Sequence, residues 1–93
     1  MTLEQLENLI ANRSSAPRGE SWTAQLLEKG PEKCAEKFGE EAIELIIETV
    51  KSDSDGLINE AADVIYHFLV LLKSRNISVS QVMAELERRM AQS

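Results

Sequence analysis

The sequence predicts an all-α protein, a helical bundle built on two long antiparallel central helices. Three observations carry this. Hydrophobic residues are 43% of the chain, mostly Leu, Ile, Val and Ala, while aromatics make up 4%. The chain holds only 4 Gly and 2 Pro, which suits helices better than short strands and turns. No alternating strand pattern, internal repeat or low-complexity stretch interrupts it.

Each element follows from local signals. Thr2 with Gln5 makes a capping-box signature that opens a helix to about Asn12. "RSSAPRG", 13 to 19, is a loop by composition. "SWTAQLLEK", 21 to 29, is a short helix capped by Ser21; Gly30 ends it, and Pro31 suits the first turn of the next. That helix runs from about Pro31 to Lys51, with "SDSDG", 52 to 56, as the turn after it. A third helix follows to about Arg75, and Ser78 with Gln81 opens a last one to about Met90. The short turn implies that the two long helices pack antiparallel.

At 93 residues the chain is expected to form one domain, 1–93. A chain of this size buries only roughly 60 to 65% of its unfolded surface, and an oligomer would cover leftover apolar area. The formal net charge of -6 argues against a nucleic-acid platform. It still permits polyphosphate binding when a metal cation stands between the two. Cys34 is the only cysteine, so no intrachain disulfide forms, which fits a reducing cytoplasm. No basic start followed by an apolar run marks a signal peptide. The longest apolar run, "FLVLL" at 68 to 72, falls far short of the roughly 20 residues that a membrane span needs.

The chemistry lies in carboxylates on greasy helices. At 100° steps, Lys33, Lys37, Glu40, Glu41, Glu44 and Glu48 share an arc of roughly 100°, flanked by an apolar arc of about 220°. On the following helix Asn59, Glu60, Asp63 and His67 share one stripe, and Leu, Ile, Val, Ala and Phe fill almost everything else. A helix apolar nearly all round is expected to be buried, so Glu60 and Asp63 are buried or line a cleft. An uncompensated buried carboxylate costs several kcal/mol. The escapes are protonation, pairing with Lys or Arg, or a bound cation. Residues 57 to 72 contain no Lys or Arg, so no local pairing is open to Glu60 and Asp63. A hard divalent cation is the simplest answer. Glu41 with Glu44, and Glu60 with Asp63, are spaced i, i+3 and point their oxygens the same way. Oxygen-only ligation suits Mg²⁺ or Mn²⁺, and Mg²⁺ usually borrows substrate phosphates. The pattern therefore points to metal-assisted attack of water on a phosphate chain. For Glu41 and Glu44 alone, a solvated face with pairs such as Lys37 to Glu41 would serve equally well. The second pair argues against it. There is no GxxxxGK[ST] or GxGxxG loop, no nucleophile elbow, and only one His and one Cys, which excludes a Cys/His zinc cluster within one chain.

Glu41-Ala-Ile-Glu44 followed by Glu60-Ala-Ala-Asp63 resembles the ExxE and ExxD signature of the all-α, MazG-like nucleoside triphosphate pyrophosphohydrolases. "SWTAQLLEKGPEKCAEKFGEEAIE", 21 to 44, "LINEAADVIYHFLVLL", 57 to 72, and "ELERR", 85 to 89, are most similar to the phosphoribosyl-ATP pyrophosphohydrolases within that group. Trp22 stands where Tyr is more usual, keeping the aromatic character. The resemblance spans roughly residues 20 to 90. It implies Mg²⁺-dependent hydrolysis of phosphoribosyl-ATP to phosphoribosyl-AMP and pyrophosphate, in the cytoplasm, by a bundle completed through homodimerisation. It carries the metal role to Glu41, Glu44, Glu60 and Asp63. Glu40 and Glu41 are the catalytic candidates, Glu40 as a water-activating base or as a group that supports the metal ligands from behind, although an ordinary exposed Glu would equally explain Glu40. Lys29, Lys33, Lys37 and Asn59 are candidates to contact phosphate or nucleotide, although ordinary salt bridges would also explain Lys33 and Lys37. Ser21 to Thr23 are also candidates to contact substrate, although a helix cap with a core Trp is the expected reading. His67 is expected to orient or support, and Cys34 to be a small core residue. Leu6, Leu9, Ile10, Met83 and Leu86 are expected as core or dimer contacts. A link to a separate phosphoribosyl-AMP cyclohydrolase is open. The alternatives are a house-cleaning hydrolase of NTPs or dNTPs on the same metal face, and a helical dimerisation module without catalysis.

Overall fold

All the α-helices but the one that follows Gly30 begin where a side chain accepts from one of their first amides. In the computed structural model, which describes residues 1–51 and 53–92, α1 spans Leu3–Ser14. Thr2 N–H donates to Gln5 Oε1 at 2.8 Å, and Gln5 N–H donates back to Thr2 Oγ1 at 3.1 Å, which is the expected capping box. The expected loop contains a single 3₁₀ turn at Arg18–Glu20. α2, Trp22–Lys29, is capped by Ser21 Oγ, which accepts from the Ala24 amide at 3.1 Å. Gly30 then turns the chain at φ 92°, ψ 175°, a region open essentially to glycine alone.

α3 spans Pro31–Thr49 and α4 spans Ser54–Ser74. The connection is tighter than expected. α3 stops before Lys51, and Asp53 caps α4 by accepting from the Asp55 amide at 3.1 Å, which draws residues 54 to 56 into the helix. Ser52, within the expected turn, lies outside the described residues. Three contacts fix the direction of packing. Phe38 meets Phe68 with ring centroids 6.1 Å apart, Glu41 meets Asp63, and the Glu48 carboxylate reaches the backbone of Gly56. Positions on α4 fall as positions on α3 rise, so the pair is antiparallel.

Asn76, at φ 58°, closes the end of α4. α5, Val79–Gln92, starts with the second expected capping box: Ser78 N–H donates to Gln81 Oε1 at 2.9 Å, and Gln81 N–H donates to Ser78 Oγ at 3.4 Å. Its first amide, on Val79, donates across the molecule to Glu7 Oε2 of α1 at 2.6 Å. The described residues contain no strand, and no helix among them is long and apolar enough to cross a membrane.

Ile10, Leu26, Cys34, Leu69, Val70 and Val79 form the core, so all five helices contribute, with Leu6, Tyr66 and Phe68 among the side chains packed around it. Two expectations are corrected. α4 is not buried all round within one chain: Ile58 is 67% exposed and Ile65 is exposed, as are Ile43, Ile46, Ile47 and Val50 of the α3 segment and its end. One chain has too few helices to cover both sides of the pair. Trp22 is not a core residue but is 47% exposed, because α2 turns Thr23, Ala24 and Leu26 inward instead. Ile10 is core and Leu6 packs against it, whereas Leu9, Met83 and Leu86 lie on the surface.

Candidate active site

The antiparallel pairing brings the carboxylates of the two long helices face to face. Glu41 of α3 and Glu60 and Asp63 of α4 each offer an oxygen, and these atoms lie within 4.8 Å of one another. All three side chains are half-buried. Glu60 Oε2 is sealed from solvent and has no hydrogen-bond partner among the described residues. A sealed, unpartnered carboxylate oxygen is rare in a folded protein, because desolvation costs free energy that a hydrogen bond or a cation must offset. Burial holds the Glu60 carboxyl above its ordinary range, and the Asp63 charge, a hydrogen bond shared with the Glu41 carboxylate and the charges of Glu41 and Glu44 push it the same way.

The other expected site residues surround this cluster. Glu44 is exposed on α3; it contributes to the field at Glu60 but stands outside the three-carboxylate group. Glu40 is exposed and accepts a hydrogen bond from Lys37 Nζ at 3.0 Å. That contact and the Glu40 charge raise the Lys37 pKa. The pairing is thus i, i+3 to Glu40 rather than i, i+4 to Glu41. Lys33 pairs with Glu36 at 3.3 Å. Lys29 is exposed at the end of α2, with no ion pair among the described residues, and Asn59 is exposed beside Glu60. His67 is 7% exposed, its ring edge-on to Tyr66 at 4.9 Å. Burial lowers its pKa; the Asp63 carboxylate opposes this and the Lys37 ammonium adds to it. His67 packs as a supporting group.

Beside the cluster, Lys37 Nζ also lies over the Trp22 ring, 5.9 Å from its centroid. Trp22 in turn borders an open, polar cavity of about 530 Å³ lined by Arg13, Ala16, Glu20, Ser21, Trp22, Thr23 and Tyr66. The Thr23 hydroxyl and the Tyr66 phenol hydrogen-bond there, tying α2 to α4. Sequence reasoning missed Arg13 and Tyr66. Arg13 ends α1 in a stretch that reads as loop, and Tyr66 sits among apolar neighbours, so no spacing singles either out.

Comparison with known proteins converges on one family. The family model described as phosphoribosyl-ATP pyrophosphohydrolase matches residues 3–90. A phosphoribosyl-ATP pyrophosphatase from Roseobacter denitrificans is 61% identical over 89 residues, which are 96% of this chain and 85% of that protein. One from Dinoroseobacter shibae is 61% identical over 87 residues, 94% of this chain and 85% of its own. A third, from Ruegeria pomeroyi, is 57% identical over 91 residues, 98% of this chain and 87% of its own. Matched along nearly its whole length, the chain belongs to the phosphoribosyl-ATP pyrophosphohydrolase family.

Proposed function

We propose that the protein hydrolyses phosphoribosyl-ATP to phosphoribosyl-AMP and pyrophosphate, the second step of histidine biosynthesis, with Mg²⁺ held between α3 and α4. The observation that carries the metal reading is the Glu41, Glu60 and Asp63 cluster with its sealed, unpartnered Glu60 oxygen. Family membership carries the substrate reading. An all-carboxylate donor set fits a hard cation such as Mg²⁺, with Mn²⁺ as a substitute. Glu41, Glu60 and Asp63 would hold it, and Glu44, one turn along α3 from Glu41, would join them.

When bound, the metal supplies positive charge against phosphate oxygens and makes coordinated water more acidic. The remaining work falls to the chain. Lys33 and Lys37 stand two turns and one turn before Glu41 on the same helix, where their ammonium groups meet phosphate oxygens at the cluster's edge. Asn59 and Lys29 contribute further hydrogen bonds to the nucleotide. Glu40 or Glu41 takes the proton of the attacking water as it adds to phosphorus and pyrophosphate departs. The long helices leave Ile43, Ile46, Ile47, Ile58 and Ile65 exposed, and pairing of two copies in a homodimer would cover them.

Pyrophosphate release is the direct test. With Mg²⁺, phosphoribosyl-ATP is expected to be turned over in strong preference to ordinary NTPs and dNTPs. Preference for a dNTP would make the protein a house-cleaning hydrolase on the same metal face. Asp63→Ala is expected to lower kcat/KM by about 10³-fold or more, reflecting several kcal/mol of lost charge stabilisation, with helical circular dichroism unchanged. Full activity in that variant would sink the metal assignment.

A further inference from the structure

The polar cavity beside Trp22 lies on a definite side of the carboxylates. α3 and α4 are antiparallel, so stepping back from Glu41 to Lys37 and forward from Asp63 to Tyr66 moves the same way, by about 6 Å and about 4.5 Å at the helical rise. Lys37 meets the Trp22 ring, and Tyr66 meets Thr23. The cavity therefore opens roughly one helical turn beyond the cluster. Its cation is Arg13. Unlike Arg18, Arg88 and Arg89, which are each paired with a glutamate, Arg13 has no ion pair among the described residues.

We propose that this cavity binds the phosphoribosyl arm of the substrate, with Arg13 on its terminal phosphate and Trp22 against the adenine. The inference rests on the reading of phosphoribosyl-ATP as substrate. That molecule is double-ended: it carries a triphosphate at one end and a second ribose phosphate, attached through adenine N1, at the other. With the triphosphate at the acidic cluster, the far phosphate needs a separate cation, and an unpaired guanidinium offers a two-pronged one. Substitution at N1 also gives the adenine ring positive charge near neutral pH. An indole face is the best side-chain receiver for such charge, and the Trp22 face already takes the Lys37 ammonium. Glu20 accepts from ribose hydroxyls. The cavity's volume is in the range of small-molecule sites. Arg13 and Trp22 thereby separate phosphoribosyl-ATP from ATP, which lacks the arm.

Trp22 is the only tryptophan, so its fluorescence reads this cavity directly. Titrating the full chain with ribose 5-phosphate, without metal, is expected to give a saturable change in emission. In Arg13→Gln the half-point should move up about 10- to 100-fold, the span of a lost charge-assisted hydrogen bond. No change in the wild type, or the same half-point in the variant, overturns the proposal. Kinetics supply the second readout. Arg13→Gln should raise KM for phosphoribosyl-ATP by the same factor with kcat held, and Arg13→Lys should recover part of it. If the wild type turns over phosphoribosyl-ATP and Arg13→Gln matches it, the cavity assignment is wrong and the function stands. If the wild type prefers ATP or a dNTP, the function reading fails and the cavity assignment with it.

Discussion

Glu60 concentrates the energetics of the site in one side chain. Its folded-state pKa is raised, so the fold favours the protonated form. The stability this contributes is fully present below the ordinary value of 4.5 and is lost as pH rises through the raised folded value. In the metal-free protein, Glu60→Gln should therefore raise the melting temperature at neutral pH and flatten this component of its pH dependence. Thermal melts in chelator from about pH 5 to pH 8 measure both. Mg²⁺ is expected to raise the melting temperature of the wild type, and the same variant should lose that rise, because a neutral carboxamide does not replace a charged ligand. Much of this was legible in the sequence. Two i, i+3 carboxylate pairs on apolar helices, one without any local cation, already demanded compensation. The relative placement of the four carboxylates was not legible, since spacing along a helix leaves the rotation of one helix against another open. That rotation gathers Glu41, Glu60 and Asp63 and leaves Glu44 at the edge.

Four of the five described α-helices open on side-chain caps and α3 opens on Gly30 and Pro31; these are short-range signals, which is why most boundaries could be read in advance. Both capping boxes form as their spacing required. The exception is instructive. "SDSDG" reads as a turn by composition, yet Asp53 is itself the cap of α4, so its Asp-Gly belongs to the first helical turn. Gly30 is the stricter joint. Gly30→Ala is expected to cost about 1–3 kcal/mol, because a Cβ is strained at that φ and ψ, and urea melts will show it. The cavity left by Leu26→Ala, at the fully buried centre of α2, should cost about 2–5 kcal/mol by the same measurement. Neither substitution touches a carboxylate, so surviving folded protein should keep its metal response.

At the scale of the whole molecule, the apolar content of the chain exceeds what five helices can enclose. The sequence made α4 look buried on every side because hydrophobicity does not say which chain does the burying. In one chain, Ile46 stays 64% exposed on α3 and Ile58 stays exposed on α4. In the proposed dimer, Ile46→Asp is expected to shift sedimentation velocity from dimer to monomer, since an ionised side chain at such a face leaves a charge without a partner. If the native protein already sediments as a monomer, this face has no self-complementary role. The inward turn of α2 escaped the sequence for a related reason. An eight-residue helix with Trp at its first position has too little periodicity to say which side faces the core.

Cys34 carries a further consequence. It is the chain's single thiol, 1% exposed, with its Sγ–H directed at the Leu26 carbonyl 3.5 Å away and its pKa pushed up by burial. Neutral and walled in between α2 and α3, it is closed to alkylating and disulfide reagents while the core holds. An opening of the core uncovers it, and a thiol reagent concentrated enough to outrun reclosing reacts once per opening, so its rate of consumption then counts the openings. In the purified protein, with one thiol per chain, the molecule thus carries its own clock for kinetic stability.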